Sequence, residues 1–309
     1  MTTVLIRFAE LGLKSERVRS RFLKRLADDI EESLFTAGVE HILEIRRSRL
    51  FVETDQDEKV SLVLRQVPGV SSFSFVVRSS SRKDLLMGSL SKYGETRIRK
   101  GMTYGLKVRR TGNHPYTSQE IAVEGGGAVV SHLKEGAAAV DLKHPDVWIE
   151  VEIRDSRAYI FDNRTKGPGG MPASSQGKVL LLLPEHDADI ERRSMLSFIL
   201  MRRRGCKVIP ASMEEHSALW SEIIKDTSMG QGKGPFVLKG DDLLSGLIDA
   251  AELLKVRGIV IPSGPGKEGE FPVIHSQGAP ISQFYPTASM DLTEVDEWLR
   301  RLIPPGLKP

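Results

Sequence analysis

Polar and apolar positions along the first 78 residues fall into short, distinct blocks. Residues 4–8 (VLIRF) form a compact apolar run that predicts a strand. From Ser15 onward, Val18, Phe22, Leu26, Ile30 and Leu34 recur every fourth residue, which predicts a helix capped at Ser15 and ended by Gly38. Two short strands follow, residues 42–46 and 50–53, with Arg47, Ser48 and Arg49 at the turn between them. A helix over 59–66 stops at the Pro68-Gly69 pair, and residues 73–77 (FSFVV) supply another strand. The resulting order, βαββαβ, is that of a ferredoxin-like unit, a small antiparallel sheet with both helices on one face.

From residue 83 the pattern predicts a helix, a strand over 104–109, a helix over 118–133 and strands over 147–153 and 158–161, a second α/β unit. The stretch TKGPGGMPASSQGK, residues 165–178, concentrates Gly, Pro and Ser and has the composition of a linker or exposed loop. Beyond it, residues 178–183 (KVLLLL) are apolar on both faces, as a central strand of a covered parallel sheet must be. Helices over 190–204, 214–226 and 241–256 then alternate with strands over 206–210, 235–238 and 258–262, which predicts a doubly wound sheet. Residues 263–289 read as irregular, ahead of a last helix over 291–302. The expected division is 1–80, 81–166, a linker over 167–177, and 178–309.

Composition narrows the class. The chain has 309 residues, 40% of them hydrophobic and 28% charged, which excludes a disordered or fibrous protein. The net charge is only +3, but residues 1–110 carry 22 basic against 14 acidic side chains, so the positive field belongs to the N-terminal third. A single cysteine, Cys206, excludes an internal disulfide framework and a cysteine-cluster zinc site, and predicts a reducing compartment. The opening apolar run is interrupted by Arg7 and Glu10, too early for a signal peptide or a membrane span, so a soluble cytoplasmic protein without a membrane partner is expected. The seven histidines are scattered without partners at ligand spacing, and no metal is assigned.

The first helix sets Arg17, Arg21 and Lys24 on one face opposite its apolar stripe, with Lys14 just ahead and Arg46, Arg47 and Arg49 at the hairpin. Such a face either holds a phosphate backbone or is a solvated helix surface, since Asp28, Asp29, Glu31 and Glu32 follow it. A second basic cluster, KVRRTGNHPYTSQE, ends a strand with Arg109 and Arg110 and opens a helix at Ser118. Ser118 is a suitable N-cap, whose neighbouring free amides suit an anion, and Tyr116 either stacks on an exposed base or covers the loop.

These segments resemble a known family. KVRRTGNHPYTSQEI, the run from Asp141-Leu142-Lys143 and Pro145-Asp146 to Lys166-Gly167-Pro168-Gly169-Gly170, and Gly177-Lys178-Val179-Leu180 are similar to the THUMP domain and domain junction of the tRNA 4-thiouridine synthases (tRNA sulfurtransferases). The opening LIRFAELGLKSERVRSRF is similar to that family's start. The resemblance implies a ferredoxin-like domain and a THUMP module that together bind tRNA, with Arg164 and Lys166 joining the basic residues above. It also implies a C-terminal pyrophosphatase-loop domain, with ATP and magnesium as cofactors and uridine thiolation as the outcome.

The third block departs from the family at its chemistry. Where the family carries Ser-Gly-Gly-x-Asp-Ser to wrap ATP phosphates, this chain reads LPEHDADIERRSMLSFILMRRRG, with no glycine between Leu183 and Gly205. Pro184 removes an amide donor, and Glu185, Asp187, Asp189 and Glu191 place negative charge at the helix start. Asp187, Asp189 and Ser194 are the candidate cofactor residues, and Arg192 and Arg193 suit a remodelled anion site; the alternative makes the acids a helix cap. No catalytic residue is assigned. The lone Cys206 opens a predicted strand and reads as a buried small side chain, so sulfur chemistry implies a separate donor protein. Two function classes follow, a tRNA-thiolation enzyme or subunit and an RNA-binding protein without nucleotide chemistry. A third, a small-molecule regulator on the ferredoxin-like fold, predicts ligand stabilisation without RNA.

Overall fold

The computed structural model describes residues 1–8, 15–46, 49–134, 136–183, 187–213, 235–267, 271–276 and 279–303. The first strand, β1 (Thr2–Phe8), leads into α1 (Glu16–Thr36), whose every-fourth apolar positions Phe22, Leu26, Ile30 and Leu34 are all buried. The hairpin strands β2 (Ile42–Arg46) and β3 (Arg49–Thr54), then α2 (Asp57–Leu64) and β4 (Val70–Ser80), complete the expected βαββαβ order. The turn residues Arg47 and Ser48 lie outside the described residues. Strand β4 runs well past the apolar core of FSFVV on both sides, carried by pairing rather than by side-chain pattern.

The second block gives α3 (Lys83–Arg97), β5 (Thr103–Thr111), α4 (Ser118–Val129), the two-residue β6 (Ala139–Val140), β7 (Val147–Arg154), β8 (Arg157–Phe161) and β9 (Thr165–Lys166). In the first sheet the strand order is β2-β3-β1-β4-β8-β7-β5-β6, with β9 on β4. Alternate residues of β5, β7 and β8, including Leu106, Ile149, Val151, Ile153 and Ile160, form a core with Leu86 and Leu90 of α3 and Ile121 and Val129 of α4. Helix α4 stops four residues earlier than its apolar pattern predicts. Within its triple glycine, Gly125 faces Leu106 and Leu90, whose terminal methyls would have to shift to admit a Cβ, whereas Gly126 and Gly127 border open space.

The third block opens with β10 (Gly177–Leu182), followed by α5 (Ala188–Arg203), β11 (Cys206–Ser212), β12 (Phe236–Val237), α6 (Leu243–Leu254) and β13 (Gly258–Val260). The predicted helix over 214–226 lies outside the described residues. The stretch 263–289, read as irregular, instead holds a small β14 (His275–Ser276) and β15 (Ala279–Pro280) pair and a fifth parallel strand, β16 (Ser282–Phe284). This strand is only three residues long and carries polar side chains, so parallel pairing with β13 rather than its own pattern makes it a strand. The order β12-β11-β10-β13-β16 is a doubly wound parallel sheet. Val179 and Leu181 face a core with α5 and α7 (Leu292–Leu302), and Leu180 faces the other core with α6, so β10 is covered on both sides as its sequence requires.

Two compact units emerge, Met1–Ile6 with Phe51–Asp55 and Phe73–Thr165, and Arg7–Leu50 with Gln56–Ser72 and Lys166–Pro309. All but one of their boundaries fall inside strands, β1, β3, β4 and β9. In the second unit, the Gly- and Pro-rich stretch after β9 is pinned by main-chain hydrogen bonds: Gly167 N–H donates to Ser71, Gly169 to Val70, Met171 to Arg203 and Gln176 to Gly205. Gly170 has a φ of 75° and sits where a Cβ would fall on the Arg203 carbonyl, a position only glycine fills without strain. No helix among the described residues is long and apolar enough to cross a membrane.

Candidate nucleic-acid interface

The period of α1 buries one stripe and turns Arg17, Arg21, Lys24 and Arg25 out to solvent, with Arg19 half-buried. Among the described residues, Arg17, Arg21 and Lys24 form no salt bridge, and Arg21 also lies 5.7 Å from the ring of its neighbour Phe22. Basic charge at a helix start opposes the macrodipole, at roughly 0.3–1 kcal/mol per charge within the first turn. Arg17 and Arg19 stand in that turn, and Ser15 supplies no side-chain cap. Glu16 offsets part of that charge in the same turn, while Asp28, Asp29, Glu31 and Glu32 come later and no basic residue stands in the last turn. Lys14 and Arg47 lie outside the described residues, and Arg46 is held by Glu44 at 2.7 Å.

In the other unit, alternation along β5 sets Lys107 and Arg109 on the sheet face opposite α3 and α4, both exposed. Parallel register places Lys107 beside Glu150 and Arg109 beside Glu152 of β7. Those carboxylates are engaged elsewhere: Arg164 binds Glu150 at 2.7 Å and approaches Glu152 at 3.9 Å, and Arg154 lies 3.4 Å from Glu152. Arg164 is therefore a neutralising partner of two acids rather than a free phosphate ligand. The Lys107 ammonium sits 3.4 Å from the centroid of the Trp148 ring, and that ring lies across Gly105, where any Cβ would strike it. Lys107 and Trp148 are not among the sequence-predicted site residues, although the alternation of β5 and β7 gives the face each occupies. Lys166, on β9, is exposed.

The turn after β5 differs from its sequence reading in three ways. Tyr116 is buried, its hydroxyl donating to the Ser81 carbonyl and its ring stacked on His114, so it covers the loop and presents no face to a base. Burial raises its phenol above the ordinary value. The N-cap of α4 is Thr117, not Ser118: Thr117 Oγ1 accepts from the Glu120 amide at 3.1 Å, and Glu120 accepts from the Thr117 amide at 2.6 Å. This reciprocal capping box occupies two of the helix-start amides with protein groups. Arg110 turns back toward Gly112 and His114, leaving Arg109 as the outward cation of the pair.

The head of α5 does not fit a polyphosphate. Asp187 is the N-cap, accepting from the amides of Asp189 at 2.9 Å and Ile190 at 3.1 Å, so its carboxylate takes the donors a phosphate needs. Asp189 pairs with Arg192 at 2.6 Å, and Arg192 reaches Asp296 at 3.0 Å. Ser194 is fully buried and donates to the Ile190 carbonyl. The three residues expected to hold a cofactor are thus a cap, an ion pair and an internal hydrogen bond. Arg193 is also buried, donating to the carbonyls of Thr287 at 3.1 Å and Met290 at 2.8 Å, with its guanidinium against Gly264. It ties α5 to the loops after β13 and β16, at the carboxyl ends of the strands where doubly wound folds usually place a ligand. Pro184, Glu185 and His186 lie outside the described residues. Cys206 is buried, and burial pushes its thiol up, away from the reactive thiolate. No group of His, Cys, Asp and Glu side chains among the described residues forms a metal site.

Comparison with known proteins completes the description. The family model "ThiI ferredoxin-like domain" matches residues 3–74, and "THUMP domain" matches residues 72–162. The chain is 33% identical over 211 residues to a probable tRNA sulfurtransferase of Methanobrevibacter smithii, covering 67% of this chain and 52% of that protein. It is 35% identical over 217 residues to the protein of the same name from Methanothermobacter thermautotrophicus, covering 68% and 52%. With the tRNA sulfurtransferase of Thermoplasma volcanium it shares 37% over 185 residues, covering 59% and 37%. The chain therefore spans about half or less of the length of these relatives. Among solved structures, PH1313 from Pyrococcus horikoshii has a similar fold with a TM-score of 0.78, 24% identity, and coverage of 98% of this chain and 99% of that one. A 4-thiouridine synthetase–RNA complex with bound ATP gives a TM-score of 0.67, 18% identity, and coverage of 98% and 85%.

Proposed function

Because residues 3–74 and 72–162 belong to the ThiI ferredoxin-like and THUMP domain families, in a chain homologous to tRNA sulfurtransferases, we propose that this protein holds tRNA for uridine thiolation in the cytoplasm. We read residues 1–80 and 81–166 as the RNA-holding modules, 167–177 as the connection, and 178–309 as a pyrophosphatase-loop-like domain. The carrying observation is α1, whose Arg17, Arg21 and Lys24 are turned to solvent and form no salt bridge among the described residues. Arg17, Arg21 and Lys24 supply phosphate contacts there, and Lys107, Arg109 and Lys166 supply them in the THUMP part. Ser118 keeps only a main-chain role at the start of α4.

Adenylation is not a task of the C-terminal domain in this reading. The amides that would cradle a phosphate are capped by Asp187, and Arg193 is committed to protein carbonyls. ATP and magnesium would then act on a different polypeptide, and a separate sulfur-donor protein would complete the thiolation. The test is tRNA binding by the full chain with Arg17, Arg21 and Lys24 replaced together by Gln. Affinity should fall, and the dependence of log K on log salt should flatten by about 1 for each phosphate contact removed. An unchanged slope would take α1 out of the interface.

A further inference from the structure

Helix α1 also carries charge on the side turned into the protein. Asp29 lies one turn beyond Arg25, and its Oδ2 is buried with no hydrogen-bond partner among the described residues. On α5, Arg202 has its Nη1 buried in the same condition, with the guanidinium 5.5 Å from the Phe198 ring. The surroundings are closely built. Leu26 of α1 and Pro172 both lie against Gly69, and the Met171 amide donates to the Arg203 carbonyl at 2.9 Å, so α1 and the end of α5 border one short segment. The charged groups around Asp29 are Arg25, Asp28 and Glu32 on α1, Arg202 on α5 and Lys207 on β11, the last beside Lys178 of β10.

Burial outweighs the two arginines and pushes the Asp29 carboxyl up to about 7. The same cause pushes Arg202 down to about 10, which leaves it cationic throughout the neutral range. Asp29 is thus a carboxyl with a buried, unpartnered oxygen, kept ionised first by the buried Arg202 and then by Arg25, the exposed cation one turn before it.

We infer that Asp29 couples RNA binding to proton uptake: a phosphate settling on Arg25 offsets the positive field at Asp29, which takes a proton from solvent and becomes the neutral acid at the α1–α5 junction. The inference rests on the reading that the basic half of α1 grips RNA. Linkage fixes its sign, because a ligand that raises proton affinity binds more tightly as pH falls through the titration range. The neutral acid also suits the buried Oδ2 better than the carboxylate does.

The experiment measures tRNA affinity at constant ionic strength near pH 8.5 and near pH 6.5 for wild type, Asp29→Asn and Asp28→Asn. Wild type should tighten by about fivefold on acidification, within the tenfold per unit that one linked proton permits. Asp28→Asn, which loses the same charge from an exposed site, should keep that dependence, and Asp29→Asn should lose most of it. A wild type with flat affinity, or a dependence that survives Asp29→Asn, overturns the coupling while leaving RNA binding intact. Failure of all three proteins to bind tRNA at either pH overturns the RNA reading and the coupling with it. A carbon-13 NMR titration of the Asp29 carboxyl separates coupling from folding: added tRNA should shift its midpoint upward, and an unmoved midpoint contradicts the inference.

Discussion

Single residues decide most of what this chain can do, and their sequence identity alone does not reveal their state. Tyr116 has the chemistry to stack on a base, but the Ser81 carbonyl and His114 claim it. Asp187 and Asp189 have the chemistry to hold a magnesium ion, but one caps α5 and the other holds Arg192. These outcomes depend on partners 2–35 residues away, which periodicity does not report. Asp29 shows the same point with a measurable consequence. Its folded-state value lies above its ordinary one, so between about pH 4 and about pH 7 the folded protein retains a proton that the unfolded chain has lost. That contribution to stability is therefore present at low pH and is lost as pH rises through about 7. Thermal unfolding of Asp29→Asn against wild type should show the variant gaining relative stability across this interval and a constant difference above it. A difference independent of pH would show that Asp29 titrates normally.

At the scale of elements, the sequence was most legible where burial sets a strict period. The spacing of Phe22, Leu26, Ile30 and Leu34 locates α1, and the unbroken apolar run of β10 locates the centre of the parallel sheet, because each pattern is imposed by its own core. It was least legible at β6, β9 and β16, two or three residues each, which become strands only through pairing with neighbours. The apolar period of α5 locates the helix and its acidic start suits a cap, but the commitment of Arg193 to Thr287 and Met290 depends on the fold. This helix carries a prediction of its own. ATP with magnesium at about 100 times a typical nucleotide Kd would stabilise a binding protein by about 2.7 kcal/mol. Here the melting temperature should not move on adding about 1 mM MgATP, and a clear rise would show that the head of α5 accepts a nucleotide after all.

The whole molecule joins segments that match the ThiI ferredoxin-like and THUMP family models to a doubly wound domain in which Asp187 occupies the helix-start amides of α5. The fold class was readable from the alternation of elements, and the outward cations of α1 from helical spacing. Alternation along β5 and β7 gives the faces of Lys107 and Trp148, but their contact depends on cross-strand register, which the sequence does not report. Charge alone does not establish recognition, since any basic surface attracts a polyanion through counterion release. The decisive measurement is therefore a competition at fixed salt between folded tRNA and an acidic polymer of matched charge for the full-length chain. Preferential retention of tRNA, by at least about tenfold and therefore about 1.4 kcal/mol, is the predicted result. Equal displacement by the polymer would contradict the claim that this protein recognises tRNA.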